Sequence, residues 1–162
     1  MTSHEVAITR STVIAGAPQM VFDFIAAEDV LPKLFTGYGP LPAVKSTSQN
    51  SGPWEQPGSA RMMHLADGTT VREQVTDYHR GRYFAYRVWE FGNPIVRALA
   101  TGARGEWTFS ADPAGTRVDW TYTFTAKNRV TALPLAGITR LLWRGYMDVC
   151  LANAYRELMT SY

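Results

Sequence analysis

The C-terminal stretch of the sequence, residues 133–160, is the feature that most limits how this chain can fold. It has no proline after Pro134 and only two glycines, and its apolar residues recur with helical spacing. These residues cover much more than one stripe of the helix: Ile138, Leu141, Leu142, Trp143, Tyr146, Met147, Val149, Cys150 and Leu151. Because so wide an apolar arc needs burial over most of the circumference, we expect the rest of the chain to wrap around this helix.

The preceding part of the chain is predicted to be rich in β-strands. Seven segments favour strands: 6–14, 43–48, 59–65, 69–78, 82–91, 102–110 and 116–126. Most of their connections are short and glycine-containing, which is typical of hairpins and therefore of antiparallel pairing. Two short helices are predicted after the first strand, and residues 92–101 are predicted to be a connector. The predicted class is α+β, with a seven-stranded curved antiparallel sheet wrapped around the long C-terminal helix.

Length, charge and cysteine content restrict the number of domains, the class of partner and the cellular compartment that we expect. A chain of 162 residues is predicted to form one domain, 1–162. A net charge of +2 argues against a nucleic-acid partner. No run of 18 apolar residues predicts a membrane span, and the N-terminus does not resemble a secretory signal. The single cysteine, Cys150, suits a reducing compartment, so we expect a cytoplasmic protein.

Several short motifs agree with this order of elements. They are Ala17-Pro18-Gln19-Met20-Val21-Phe22, Gly58-Ser59-Ala60-Arg61, Ala66-Asp67-Gly68-Thr69, Val71-Arg72-Glu73, Tyr83-Phe84-Ala85-Tyr86-Arg87-Val88 and Gly115-Thr116-Arg117-Val118-Asp119-Trp120. In pattern and order the chain resembles the START/Bet v 1-like (SRPBCC) superfamily, and within it the polyketide cyclase/dehydrase-like group. The resemblance implies a helix-grip fold with a cavity between sheet and helix that holds an apolar or aromatic small molecule.

Strand alternation predicts which side chains face that cavity. The predicted ligand-binding residues are Arg61, Met63, Glu73, Tyr86, Val88, Trp107, Phe109, Trp120 and Tyr122 on the strands and Trp143, Met147 and Leu151 on the helix. Hairpin pairing sets Arg61 opposite Glu73 and Trp107 opposite Trp120. We expect a cavity of roughly 300 Å³ or more, the lower end for small-ligand sites. The alternative for the aromatic residues is a filled core.

Two loop aromatics, Tyr38 and Trp54, are predicted at the cavity entrance, with simple anchoring of their loops as the alternative. An Arg and a Glu on an otherwise apolar face also allow two interpretations. Arg61 and Glu73 either orient or polarise a ligand, or they form a structural ion pair. If the protein is an enzyme, the catalytic candidates are Arg61, Glu73 and Tyr86.

Three functions remain open on the sequence. The first is binding or transport of a lipophilic, aromatic small molecule. The second is a cofactor-free aromatase/cyclase-type enzyme acting on a polyketide-like substrate. The third is a protein-interaction module with a vestigial cavity. No cofactor and no metal are expected, because the three histidines and Cys150 lack metal-ligand spacing and no nucleotide-binding motif is present. Tyr78, Tyr83 and Trp89 are predicted on the outer sheet face, where we hypothesise a homodimer contact.

Overall fold

The computed structural model describes residues 4–160. Its strands are β1 Glu5–Ile14, β2 Val44–Ser48, β3 Ala60–Leu65, β4 Thr70–His79, β5 Tyr83–Trp89, β6 Ala100–Asp112 and β7 Gly115–Ala126. Its helices are α1 Pro18–Ile25, α2 Leu31–Leu34, α3 Pro94–Leu99, α4 Arg129–Ile138 and α5 Arg144–Thr160, with the π-helical segment Thr139–Trp143 joining the last two. The order of elements is the one predicted, apart from α3.

All seven strands form one antiparallel sheet in the order β1-β7-β6-β5-β4-β3-β2. The first strand pairs with the last, and every other neighbouring pair is consecutive in the chain, with α3 lying between β5 and β6. Arg61 lies opposite Glu73 and Trp107 opposite Trp120, as the hairpin lengths predicted. The helix-grip class is therefore confirmed, with the C-terminal helix against one face of the sheet.

The corner between β1 and α1 depends on glycine. Gly16 has a φ of 127°, and Pro18 then occupies the first turn of α1. The hydroxyl of Thr116 donates a hydrogen bond of 2.8 Å to the Gly16 carbonyl. A Cβ at Gly115 would lie 2.2 Å from the carbonyl oxygen of Ile14, so only glycine allows this close approach. The corner thereby places the buried face of α1 against the sheet, where Phe22 contacts Phe84 and Phe109.

The C-terminal helix begins at Arg129, four residues before the predicted start. Asn128 caps it: its side chain accepts from the Thr131 amide, and the Thr131 hydroxyl accepts from the Asn128 amide. Helical dihedral angles continue through the π segment into α5. The π segment carries Trp143, and wider turns of this kind are frequent at functional sites. Asn153 of α5 donates to the Leu34 carbonyl and so ties α2 to the helix.

The segment predicted as a connector, 92–101, contains α3. The Asn93 side chain accepts hydrogen bonds from the amides of Ile95 and Val96, and Pro94 fills the first helical position. An Asn-Pro pair is a recognised helix-start signal, so the sequence carried the information for this helix.

Tyr78 lies on the inner side of the sheet, and its predicted outward position is wrong. The register of β4 against β5 shifts between Val75 and Asp77, and one extra residue reverses the alternation beyond it. The Tyr78 ring packs edge-on against Phe22 of α1 at 5.2 Å. Tyr83 and Trp89 do belong to the outer face, where the Tyr83 hydroxyl donates to Glu106 and Trp89 lies under the Arg87 guanidinium.

The outer face of the sheet is polar. Its side chains form ion pairs and hydrogen bonds across the strands: Arg104–Asp77, Arg104–Glu106, Arg117–Asp119, Ser11–Asp119, Arg87–Gln74 and Thr9–Thr121. An exposed apolar patch on this face would favour the interaction-module alternative, and the polar side chains here do not form one. The homodimer stays a prediction. Within residues 4–160, no helix is long and apolar enough to cross a membrane.

Candidate functional site

A cavity of about 150 Å³ lies between the sheet and the C-terminal helix. Its lining is almost wholly apolar and comes from strands, helices and the loop after α2: Leu31, Phe35, Leu41, Pro42, Val44, Met63, Leu65, Asp67, Val71, Glu73, Tyr86, Val88, Phe91, Asn93, Val96, Leu99, Tyr122, Phe124, Leu135, Ile138, Trp143 and Tyr146. The volume is half of the expected value. A hydrophobic site of this size suits a small ring compound rather than a long lipid chain.

Stacked aromatic rings fill the other half of the interior. The rings of Trp107 and Trp120 stack with their centroids 4.3 Å apart. Phe22 packs edge-on against Phe84 and Phe109, and Phe84 lies parallel to Trp107. Both anticipated arrangements of the aromatic residues therefore occur, one in each half: a filled core near α1 and a cavity near α3 and α4.

The predicted ligand-binding residues divide accordingly. Six of them line the cavity: Met63, Glu73, Tyr86, Val88, Tyr122 and Trp143. Four are buried in the packed core and do not line it: Phe109, Trp120, Met147 and Leu151. Arg61 and Trp107 border a second pocket of about 20 Å³, which is too small for an organic ligand. Alternation identified the concave face, whereas the position of the void depends on how the rings stack.

Sequence reasoning missed the helical wall of the cavity. Val96 and Leu99 of α3 and Leu135 of α4 line it, together with Leu31 and Phe35 from the α2 region. The Asn93-Pro94 signal would have identified α3 as a helix. Nothing in the strand pattern indicates which helical residues complete the wall.

Arg61 is held by four contacts within the protein. Its Nε and Nη2 atoms lie 2.8 Å and 2.7 Å from Oε1 of Glu73, and its Nη1 donates to the Glu28 carbonyl at 2.7 Å. The Trp54 ring lies over the guanidinium at 3.6 Å. Glu73 lines both the small pocket and the larger cavity, while Arg61 lines only the small one. Arg61 therefore holds Glu73, and Glu73 is the charged group beside the cavity.

The two loop aromatics pack against neighbouring residues. Trp54 is buried and covers the guanidinium of Arg61. Tyr38 is partly exposed, and a Cβ at Gly145 would meet its ring at 2.2 Å, so the two approach each other closely. Neither residue lines the larger cavity. These contacts fit the anchoring alternative, and the entrance role stays a prediction.

Burial governs the protonation of the groups in this interior. Desolvation raises the pKa of Glu73, and Arg61 only partly opposes the effect. Burial, followed by the nearby Glu73 charge, raises the pKa of Tyr86. Burial also raises the pKa of Tyr122 and of the Cys150 thiol. The two tyrosine hydroxyls therefore stay protonated and available as hydrogen-bond donors at neutral pH.

The indole N–H of Trp143 is buried without a hydrogen-bond partner in residues 4–160. Trp143 lines the cavity, and its ring centroid lies 4.7 Å from that of Tyr122. A buried donor without a partner costs about 1–3 kcal/mol, so such groups are rare in folded proteins. The Trp143 N–H is consequently a buried donor that belongs to a residue of the cavity wall.

In the part of the chain that the structure describes, no cluster of three or more His, Cys, Asp or Glu could hold a metal ion. His64 instead bonds to the Ser48 hydroxyl at 2.6 Å, on the edge strands β2 and β3.

The family model "Polyketide cyclase / dehydrase and lipid transport" matches residues 5–158. The chain belongs to this family. No curated protein sequence matches it significantly. The polyketide cyclase/dehydrase and lipid transport family thus accounts for nearly the whole chain, from β1 to the last turn of α5.

Solved structures share the fold of this family member at low identity. Ginseng major latex-like protein 151 from Panax ginseng superposes with a TM-score of 0.70 at 11% identity, covering 94% of this chain and 97% of that one. XoxI from Bacillus cereus gives 0.64 at 20% identity, covering 95% and 96%. StfQ, a di-domain ARO/CYC from the steffimycin biosynthetic pathway, gives 0.69 at 18% identity, covering 98% of this chain and 53% of StfQ.

Proposed function

We propose that this family member binds a small apolar ring compound carrying one polar oxygen. The cavity of about 150 Å³ matches in volume an engineered apolar cavity of about 150 Å³ that binds benzene. A family description that includes both polyketide cyclisation and lipid transport supports an apolar ligand. The small volume favours a compact molecule of one or two rings over an extended acyl chain.

The observation that carries the proposal is the unpartnered indole N–H of Trp143 in the wall of an apolar cavity. A carbonyl or hydroxyl oxygen on the ligand would accept this hydrogen bond and remove the cost of the buried donor. Tyr86 and Tyr122 also line the cavity, and their hydroxyls would supply further polar contacts to a ligand. A few polar groups in an apolar wall are the usual means by which such cavities orient a ligand.

A matched pair of probes tests this proposal. Tetralone and tetralin have nearly the same shape, but only tetralone carries a carbonyl. We expect calorimetric titration to show tetralone binding about fivefold more tightly, which corresponds to one neutral hydrogen bond of about 1 kcal/mol. Trp143→Phe should abolish this preference while tetralin still binds.

Trp89→Phe serves as the control for that experiment, since Trp89 lies on the outer face beside Arg87. It should leave the preference for tetralone intact. Native mass spectrometry of freshly purified protein should also reveal a co-purified compound containing oxygen. Equal affinity for both probes in the wild type, or an unchanged preference in Trp143→Phe, would contradict the role of the indole donor.

A second candidate function is proton transfer in a cofactor-free cyclase or dehydrase. The observation that favours it is Glu73, a carboxyl beside the cavity whose pKa burial raises towards the range useful for general acid–base catalysis. The Glu73 carboxylate would remove a proton from the carbon next to a ligand carbonyl. A donor such as the Trp143 N–H would stabilise the enolate oxygen, and Glu73 would return a proton to the carbon.

Deuterium exchange separates an enzyme from a passive carrier. In deuterated buffer, the protein should accelerate exchange at the carbon next to the carbonyl of tetralone, as followed by mass spectrometry. Glu73→Gln should remove the acceleration and retain binding, because the amide keeps the shape but cannot accept the proton. If tetralone that is fully bound to the wild-type protein exchanges deuterium only at the uncatalysed rate, the enzyme proposal is wrong and ligand binding remains as the function.

A further inference from the structure

The outer side of the C-terminal helix exposes large apolar residues. Val130, Leu133 and Leu141 are 75%, 77% and 76% exposed, and their spacing places them on one face of α4 and the π segment. Ile95 of α3 is 64% exposed. The wide apolar arc of the sequence predicted burial over most of the circumference, so Leu141 corrects that expectation. Isolated exposed leucines are ordinary, whereas a row of them marks a contact surface.

Basic residues on α3, on the C-terminal helix and just before its start have no ion-pair partner within residues 4–160. They are Arg97, Lys127, Arg129, Arg140 and Arg144. Six other arginines do form ion pairs: Arg10, Arg61, Arg72, Arg80, Arg104 and Arg117. Residues 91–105 and 120–147 contain no Asp or Glu. Among nearby acids, Glu5 begins β1 opposite Thr125, and Asp148 is already bound by Arg10.

We call this surface the basic–apolar face: Ile95, Arg97, Lys127, Arg129, Val130, Leu133, Arg140, Leu141 and Arg144. The same two helices line the cavity with their inner sides, through Val96 and Leu99 of α3 and Leu135 and Ile138 of α4. The Lys127 amide donates to the Leu99 carbonyl at 2.9 Å and joins the helices at their ends. Whatever contacts the basic–apolar face therefore lies directly outside one wall of the cavity.

We propose that the basic–apolar face docks on the surface of an anionic lipid bilayer. Exposed leucine and valine side chains on one helix face can enter the boundary between headgroups and acyl chains, while flanking arginines bind lipid phosphates. The concentration of unpaired cations in a chain of net charge +2 is complementary to an anionic surface. A second copy of this chain fits less well, because a two-fold contact would bring these five cations against the same five.

Vesicle co-sedimentation tests the docking with two lipid compositions, phosphatidylcholine alone and phosphatidylcholine mixed with phosphatidylglycerol. We expect partitioning of the wild-type protein to be at least about tenfold stronger on the anionic vesicles and to weaken with salt. Arg140→Gln should lower it about fivefold, as expected for one basic residue near the membrane surface. The double variant Leu133→Ser/Leu141→Ser should lower it at least as much.

Matched controls are available elsewhere on the surface. Arg82 is exposed and unpaired in the described part of the chain but lies in the β4–β5 turn, and Met159 is 45% exposed near the end of α5. Arg82→Gln and Met159→Ser should partition like the wild type. Equal loss in Arg82→Gln and Arg140→Gln would overturn the proposal, because net charge and not this face would then explain binding.

Two further outcomes would also overturn it. The first is that the wild-type protein binds to neither type of vesicle. The other is concentration-dependent self-association, abolished by Leu133→Ser, without vesicle binding, which would assign the face to a second copy. Tetralone titration of the double leucine variant keeps the two proposals separate. The altered residues are exposed and do not line the cavity, so the variant should bind tetralone normally even when docking is lost.

Discussion

Replacing Arg61 with methionine is expected to lower the free energy of unfolding by about 3–5 kcal/mol near neutral pH. The substitution leaves the Glu73 carboxylate buried without its counter-ion. It also removes the hydrogen bond to the Glu28 carbonyl and the stacking of the guanidinium under Trp54. Urea denaturation at fixed pH measures the loss. Arg104→Met is the control, because its ion pair with Asp77 is partly exposed and should contribute about 1 kcal/mol or less.

Glu73→Gln should cost less than Arg61→Met. Burial already raises the pKa of Glu73, so the fold disfavours its charge, and the amide oxygen can still accept from Arg61. The substitution removes the counter-charge of the buried Arg61 guanidinium, so it should still cost about 1–3 kcal/mol. The double variant Arg61→Met/Glu73→Leu should recover most of the loss of the single arginine variant, because it removes both charges and keeps an apolar filling. A glutamine variant as unstable as Arg61→Met would show that the fold depends on the Glu73 charge.

The pH dependence of the arginine variant has a defined sign. Arg61 is the group that lowers the pKa of Glu73, so its removal raises that pKa further. A carboxyl with a raised pKa contributes stability below its unfolded pKa and loses it as the pH rises through the folded value. Arg61→Met should therefore regain up to about 1.4 kcal/mol per pH unit as the pH falls from neutral towards the ordinary carboxyl range. Denaturation curves of wild type and variant at several pH values isolate the effect, because the other carboxyls are common to both.

The predictable part of this fold is the part set by hairpin length and alternation. The registers that place Arg61 opposite Glu73 and Trp107 opposite Trp120 follow from turn lengths and parity alone. The bulge after Val75 turns Tyr78 inward, and no residue type between Val75 and Asp77 indicates a bulge in the sequence. Extra backbone residues of this kind are decided by how the two strands pack, which strand-by-strand reasoning does not include.

The candidate site was predictable as a set of inward residues but not as a cavity. Whether an inward aromatic lines a void depends on ring orientation and on the opposite wall. Trp107 and Trp120 stack face to face and close their half of the interior, while Trp143, the last residue of the π segment, lies beside Tyr122. Neither the stacking nor the π segment has a signature in residue type. Of the Arg61–Glu73 pair, only Glu73 lines the larger cavity. This difference likewise depends on tertiary contacts, because Trp54 and the Glu28 carbonyl hold the Arg61 guanidinium.

The same Val→Phe substitution on two neighbouring strands should have different effects on stability and on tetralone affinity, and the comparison tests whether the cavity exists. Val88 lies opposite Glu73 and lines the cavity, whereas Val75 lies opposite Tyr86 and is fully packed. In Val88→Phe the added ring can occupy the void, so stability should be unchanged or rise by up to about 1 kcal/mol. Affinity for tetralone should fall by about tenfold or more, equivalent to at least about 1.4 kcal/mol of binding free energy.

Val75→Phe has no void to enter and should destabilise the fold by about 1–3 kcal/mol through overpacking, while the folded fraction still binds tetralone. Melting temperature and calorimetric affinity are measured on both variants under the same conditions. If Val88→Phe is as destabilised as Val75→Phe and binds tetralone like the wild type, the interior near α3 is packed in solution. The ligand would then have to bind elsewhere, because the wall that carries Glu73, Tyr122 and Trp143 would enclose no usable space.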